Sequence, residues 1–146
     1  MTIYVDTRQK VGKHDAKHRQ LERLGHTLVS RKIDTGDYMA EGRSDISVDT
    51  KQDLQELYGD VVSDSTRFAK EVRRAKDNGI KLYVLIEQDG FTKLGDIRNW
   101  KPSYGKLTGR NIEDRCFILH KRYGVEFVFC TKTETGQRIA EILEKG

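Results

Sequence analysis

Apolar residues fall into short runs separated by charged stretches, and the spacing within each run distinguishes strands from helices. Thr2–Val5 (TIYV) and Lys81–Glu87 (KLYVLIE) are almost unbroken, as in buried strands, and the second reads as a central strand. From Ile46 to Lys51 the pattern alternates: Ile46 and Val48 are apolar, Ser47, Asp49 and Lys51 polar. That period of two predicts a strand with one buried face. Residues 26–33 and 125–130 supply two more strands. Helical spacing appears in residues 15–24, stopped by Gly25, and in Leu54, Leu57 and Tyr58. Phe68, Val72 and Ala75 mark the inner face of a helix over 66–77, capped by Ser63 or Ser65 and ended by Asn78-Gly79. Ile112, Cys116, Leu119 and Tyr123 mark another over 111–123. Ile139, Ile142 and Leu143 mark a last one, led by Thr133 or Thr135. Strands alternating with helices, plus one hairpin, predict an α/β fold with a central mixed sheet flanked by helices.

Between residues 88 and 108 the pattern breaks. This stretch holds the only proline, the only tryptophan, several glycines and Lys93, Arg98, Lys101 and Lys106. A long irregular connection in a compact fold is usually functional. Trp100 and Tyr104 could stack on bases or pin the loop to the core, the second being the simpler role.

The 146 residues suit one domain with a proper core, expected to span 1–146. Charged residues make up 34 % and the net charge is +4, a mild pointer to a polyanionic partner. No apolar run approaches a membrane span and no signal-peptide core opens the chain, so a cytoplasmic protein is expected. Cys116 and Cys130 lack metal-ligand spacing and are expected to be reduced thiols. His14 and His18 are four apart, but the intervening residues lack the glutamate of zinc hydrolases, so a solvated helix face is expected.

The candidate chemistry centres on Asp49 and Lys51. A two-residue offset puts both side chains on one face of the strand, roughly 6–7 Å apart along it. Asp37 precedes them across the turn Glu41 to Asp45, so a hairpin would return its carboxylate beside Asp49. Two carboxylates and a lysine at a strand end suit a hard divalent cation and a scissile phosphate. Asp-x-Lys alone is a chance pattern; its ordered combination with Asp6, Gly36-Asp37 and Arg67-Phe68 carries the reading.

That combination resembles the PD-(D/E)XK nuclease superfamily, and more closely the nuclease domain of XPF-type structure-specific endonucleases, over nearly the whole chain. The family pattern Asp-x-Arg-Glu, Gly-Asp, Glu-Arg-Lys and Arg-Phe-x-x-Glu is met here by Asp6-Thr7-Arg8-Gln9, Gly36-Asp37, Asp49-Thr50-Lys51 and Arg67-Phe68-Ala69-Lys70-Glu71. Asp49 replaces a glutamate, Thr50 an arginine and Gln9 a glutamate, and Asp53 follows the lysine by two residues instead of four. The resemblance implies a restriction-endonuclease-like core and a Mg²⁺- or Mn²⁺-dependent endodeoxyribonuclease. Asp37 and Asp49 would ligate the metal with the Thr50 backbone carbonyl, and Asp6 would be an additional ligand. Lys51 would orient or help deprotonate the attacking water and screen charge. Arg8, Arg67 and Glu71 would orient the site or contact phosphate, although an ion pair at i,i+4 explains Arg67 and Glu71 equally well.

The expected partner is DNA, cut at flaps, forks or branched junctions in recombination, repair or replication. No helix-hairpin-helix module fits within the chain, so Arg98, Lys101 and Lys106 are the expected substitute contacts. The small size points to a phage or mobile element. The resemblance also implies a homodimer, through a face formed by 111–123 and 132–145. Two other readings stay open: a nuclease-like DNA-binding module with little catalysis, and an α/β domain unrelated to nucleic acid. Glu87 could serve the site or simply end its strand.

Overall fold

The computed structural model describes residues 1–9 and 12–145. The first strand, β1 (Thr2–Val5), leads through helix α1 (Asp15–Arg23) to β2 (Thr27–Ser30). A hairpin of β3 (Tyr38–Ala40) and β4 (Ile46–Lys51) follows, then helices α2 (Leu54–Tyr58) and α3 (Ser65–Asp77), joined by a π-helical turn over Gly59–Ser63. The chain continues as β5 (Lys81–Glu87), a 3₁₀ turn over Leu94–Asn99, α4 (Gly109–Tyr123), β6 (Glu126–Cys130) and α5 (Thr135–Leu143). Among the described residues the strands form a six-stranded sheet in the order β2-β1-β3-β4-β5-β6. The pairs β1–β2, β4–β5 and β5–β6 are parallel, and β3 runs against both β1 and β4. This is the mixed, helix-flanked sheet expected.

Each face of the sheet carries its own core. Leu82, Val84 and Ile86 of β5 pack with Phe68 and Val72 of α3 and Ile112 and Cys116 of α4. On the other face Leu85, Val48 and Ile46 pack with Leu21 of α1 and Ile139, Ile142 and Leu143 of α5. The helices end where side-chain chemistry stops them. Thr108 caps α4 by accepting from the Asn111 amide, and Gly124 closes it in the left-handed region at φ 72°.

Several expectations need correction. The strand β4 is buried along its whole length, not on one face. It alternates between an apolar core on one side and a polar site on the other, because it lies inside the sheet with helices over both faces. Neither Ser63 nor Ser65 caps α3; Ser65 is its first residue and Asp64 precedes it without a side-chain cap. The connection 88–108 is partly regular: its 3₁₀ turn buries Ile97 and is tied at its start by Asp96, which accepts from Thr92 N and Lys93 N. Helices α4 and α5 cover opposite faces of the sheet on either side of the edge strand β6 in sequence. The i,i+4 histidines are not on a solvated face. His14 is buried and accepts at Nδ1 from Lys17 Nζ, and His18 Nε2 meets the Tyr38 hydroxyl at 2.9 Å. Cys116 and Cys130 are both free and buried. No helix among the described residues is long and apolar enough to cross a membrane.

Candidate active site

Because β1 and β4 both run antiparallel to β3, they are parallel to each other, and Asp6 and Asp49–Lys51 emerge at the same end of the sheet. Parallel strands gather their ligand-binding residues at their carboxyl ends. Register then sorts the side chains. Asp49 pairs with Val84 and Lys51 with Ile86, so both lie on the α3 side of the sheet. Tyr38 pairs with Val48 and faces α1 and α5, so its neighbour Asp37 points to the same side as Asp49. The backbone locks this register, with Asp37 N donating to Val48 O at 2.8 Å and Asp6 N to Asp37 O at 2.9 Å.

Asp37 Oδ2 accepts from the Thr50 amide at 3.1 Å and from its hydroxyl at 3.3 Å. Carbonyl and amide of one strand residue point to the same edge, so the Thr50 carbonyl lies on the Asp37 side. Burial, and then the Asp49 charge beside it, push the Asp37 pKa well above the usual carboxylate range. Lys51 Nζ lies 3.1 Å from Asp49 Oδ2 and 2.5 Å from Asp60 Oδ2. Burial disfavours the ammonium, but Asp49 and Asp60 override it and hold the Lys51 pKa above the usual lysine value.

Asp37, Asp49, Thr50 and Lys51 line a cleft of about 430 Å³ together with Asp6, Arg8, Glu71 and Arg67, while Asp60 stands behind Lys51, outside that lining. Asp6 is buried, but its carboxylate is already engaged: Oδ1 accepts from Ile33 N at 3.1 Å and Oδ2 from Arg8 Nε at 2.9 Å. Arg8 also donates to the Ile33 carbonyl. The pair fastens the loop before Gly36, with Asp6 lining the same cleft as Asp37 and Asp49. Glu71 accepts from Gly36 N at 3.3 Å, tying α3 to the same loop, and burial and Asp49 raise its pKa. Arg67, mostly exposed on the rim, reaches Asp60 at 3.4 Å and Glu71 at 3.9 Å. Asp53 caps α2 by accepting from Glu56 N at 2.8 Å.

Other expected residues lie elsewhere. Glu87 faces α1 and α5, where it pairs with buried Lys17 at 2.8 Å and accepts from Thr135 Oγ1 at 2.8 Å. Arg98 forms a two-pronged pair with Glu113 of α4, both contacts at 2.8 Å, and lies outside the cleft lining, as do Lys101 and Lys106. Trp100 packs edge-on against Tyr58, while Tyr104 is exposed. The cleft also gains Lys13, His14 and Arg74. Sequence spacing gave no signal for Lys13 and Arg74, or for Asp60 beside the cleft, and marked His14 only as one of an i,i+4 pair, because segments distant in sequence bring them together.

Among the described residues no group of three or more His, Cys, Asp or Glu side chains is arranged as a metal centre. Asp37, Asp49 and the Thr50 carbonyl are the donors that could hold a metal here, all of them oxygen. Crowding two carboxylates in a buried place, as the raised Asp37 pKa reports, suits a hard cation that completes its shell with water and phosphate.

No family model matches the chain, and no curated protein matches it. Solved structures do. XPF from Aeropyrum pernix superimposes with a TM-score of 0.73 at 17 % identity, covering 98 % of this chain and 60 % of that one. The same protein in complex with DNA gives 0.70 at 16 % identity, covering 97 % and 62 %. The chain thus spans about 60 % of the XPF chains that it matches. Over nearly its whole length, it has the fold of those XPF chains.

Proposed function

We propose that the protein is a Mg²⁺- or Mn²⁺-dependent DNA endonuclease that hydrolyses phosphodiester bonds. The observation that carries the reading is the convergence of Asp37, Asp49 and the Lys51 ammonium in one cleft rimmed by Arg8, Lys13, Arg67 and Arg74. Asp37, Asp49 and the Thr50 carbonyl would hold the metal. When bound, Mg²⁺ or Mn²⁺ supplies Lewis-acid activation of water and neutralises phosphate charge. The Lys51 ammonium donates to a non-bridging oxygen of the scissile phosphate, where negative charge grows as water attacks and the P–O bond opposite breaks. Held between Asp49 and Asp60, Lys51 would orient or help deprotonate the attacking water, whose proton passes on to solvent while the departing oxygen takes one up. Glu71 and Asp6 keep the Gly36–Asp37 loop in place.

The rim presents guanidinium and ammonium groups, which read phosphates and not bases. Selection then falls to DNA shape, and flaps, forks and branched junctions are the expected substrates. XPF from Aeropyrum pernix has been seen with DNA, which supports the same partner. A second copy of the chain would meet the C-terminal helices, where Phe117 and Ile118 of α4 are exposed; sedimentation of Phe117→Glu against wild type tests this.

The decisive experiment is nicking of supercoiled plasmid with Mg²⁺, Mn²⁺ or chelator, followed by matched-sequence duplex, flap and four-way junction. Cleavage should need the metal, favour the branched substrates and vanish in Asp49→Asn. Undiminished cutting by Asp49→Asn would end the proposal.

A further inference from the structure

Lys51 has two carboxylate neighbours, and the nearer is not the one on its own strand. Asp60 Oδ2 lies 2.5 Å from Nζ, against 3.1 Å for Asp49 Oδ2. All three side chains are about nine-tenths buried, so these attractions act in a medium of low dielectric. Among the described residues the Lys51 ammonium is the partner that this Asp60 oxygen has. Asp60 arrives from the π-helical turn Gly59–Ser63, closed by Asp64 N donating to Gly59 O at 2.9 Å. Such turns carry an extra residue and recur where a side chain must be re-aimed.

We propose that Asp60 is a positioning residue of the cleft: it holds the Lys51 ammonium from behind, so that the Asp49 oxygens are free to turn to a divalent cation. This rests on the nuclease reading above. An Asp49 oxygen that neutralises Lys51 cannot also give its full charge to a cation. With Asp60 removed, Lys51 would have Asp49 as its remaining carboxylate partner and would compete with the cation for it. With Asp60 present, the ammonium keeps a counter-charge and stays directed at the phosphate position while Asp49 is engaged. Arg67, 3.4 Å from Asp60 Oδ1, links this pair to the rim.

The test is a double-mutant cycle of Asp60→Asn and Lys51→Met, read first by Mn²⁺ titration calorimetry without DNA. Asp60→Asn should lower Mn²⁺ affinity about 10–100-fold, the usual cost of losing a residue that orients a ligand. It should lower kcat with the KM for DNA little changed. In the Lys51→Met background the same substitution should change Mn²⁺ affinity by less than about twofold, since the proposed effect passes through Lys51. An equal loss in both backgrounds, or no loss beside wild-type Lys51, overturns the proposal. A folding defect in Asp60→Asn is bypassed in the wild-type protein. There the ¹⁵N signal of the Lys51 ammonium should stay protected as Mg²⁺ is added, and its loss to solvent exchange overturns the proposal. Wild-type protein that binds neither cation overturns the nuclease reading and this inference with it. Wild-type binding and cleavage, with Asp60→Asn unaltered, overturn this inference alone.

Discussion

At Gly36 the backbone sits at φ 79°, and a β-carbon there would run into the Ser47 hydroxyl and crowd the Val48 carbonyl. Ser47 cannot yield, because it is fully buried and donates to Thr35 O at 2.6 Å. Gly36→Ala should therefore cost about 1–3 kcal/mol in urea unfolding and, by shifting Asp37, remove most cleavage. Unchanged stability and activity would show that the loop tolerates a different path. His14 gives a second prediction at this scale. Burial and then the Lys17 charge push its pKa from 6.5 to about 4. As pH falls, the unfolded chain takes up this proton first, so the contribution is whole above pH 6.5 and is lost on the way to pH 4. Wild type should lose stability over that window more steeply than His14→Gln, by at most about 1.4 kcal/mol per pH unit. Equal slopes in urea titrations at a series of pH values would refute it.

Among the elements, the connection between β5 and α4 departs most from its sequence appearance. It packs along α2: the Leu107 amide donates to the Tyr58 hydroxyl at 3.1 Å, Ser103 N donates to Gln55, and Trp100 meets the Tyr58 ring. Of the two aromatic residues that could have stacked on DNA, Trp100 is spent on this packing and Tyr104 stays exposed. Trp100→Ala should then destabilise the fold by about 2 kcal/mol, roughly half the cost at a fully buried site. Thermal melts check this, and DNA affinity at fixed salt should be unaltered. A fall in affinity without a fall in stability would return Trp100 to the substrate. Asp49 and Lys51 are fixed more firmly, because β4 is paired on both edges and covered on both faces.

For the whole molecule, the arrangement of charge decides how DNA would approach. The carboxylates and Lys51 lie on the floor of the cleft, while Arg8, Lys13, Arg67 and Arg74 stand at its rim. Each phosphate contact contributes about 0.9 log units of affinity per tenfold change in salt. Replacing Lys13 and Arg74 by Ala together should flatten the salt dependence of DNA binding by nearly two such steps. Replacing Lys101 and Lys106 together should leave it close to wild type, because neither lines the cleft. The reverse result, from binding titrations at several salt concentrations, would move the DNA path to the 88–108 connection.

Sequence alone determined the features that repeat locally. Alternation and helical spacing marked the strands and helices, because burial acts on every second or every third-to-fourth residue. The hairpin's turn and period implied that Asp37 returns beside Asp49, and the side-chain register bears that juxtaposition out. What depended on long-range contact was invisible to spacing. Asp60 reaches Lys51 through a change of helical pitch, which no propensity announces. Glu87 stayed open between site and strand end, and His14 read as solvated, until the sheet assigned Glu87 to the α1–α5 face and the start of α1 carried His14 into the cleft. Arg98 showed no partner in its own stretch of sequence, and α4 supplies Glu113. A charged residue carries no mark of its partner in its own neighbourhood, and only packing between distant segments decides which charges are neutralised within the fold and which face a ligand.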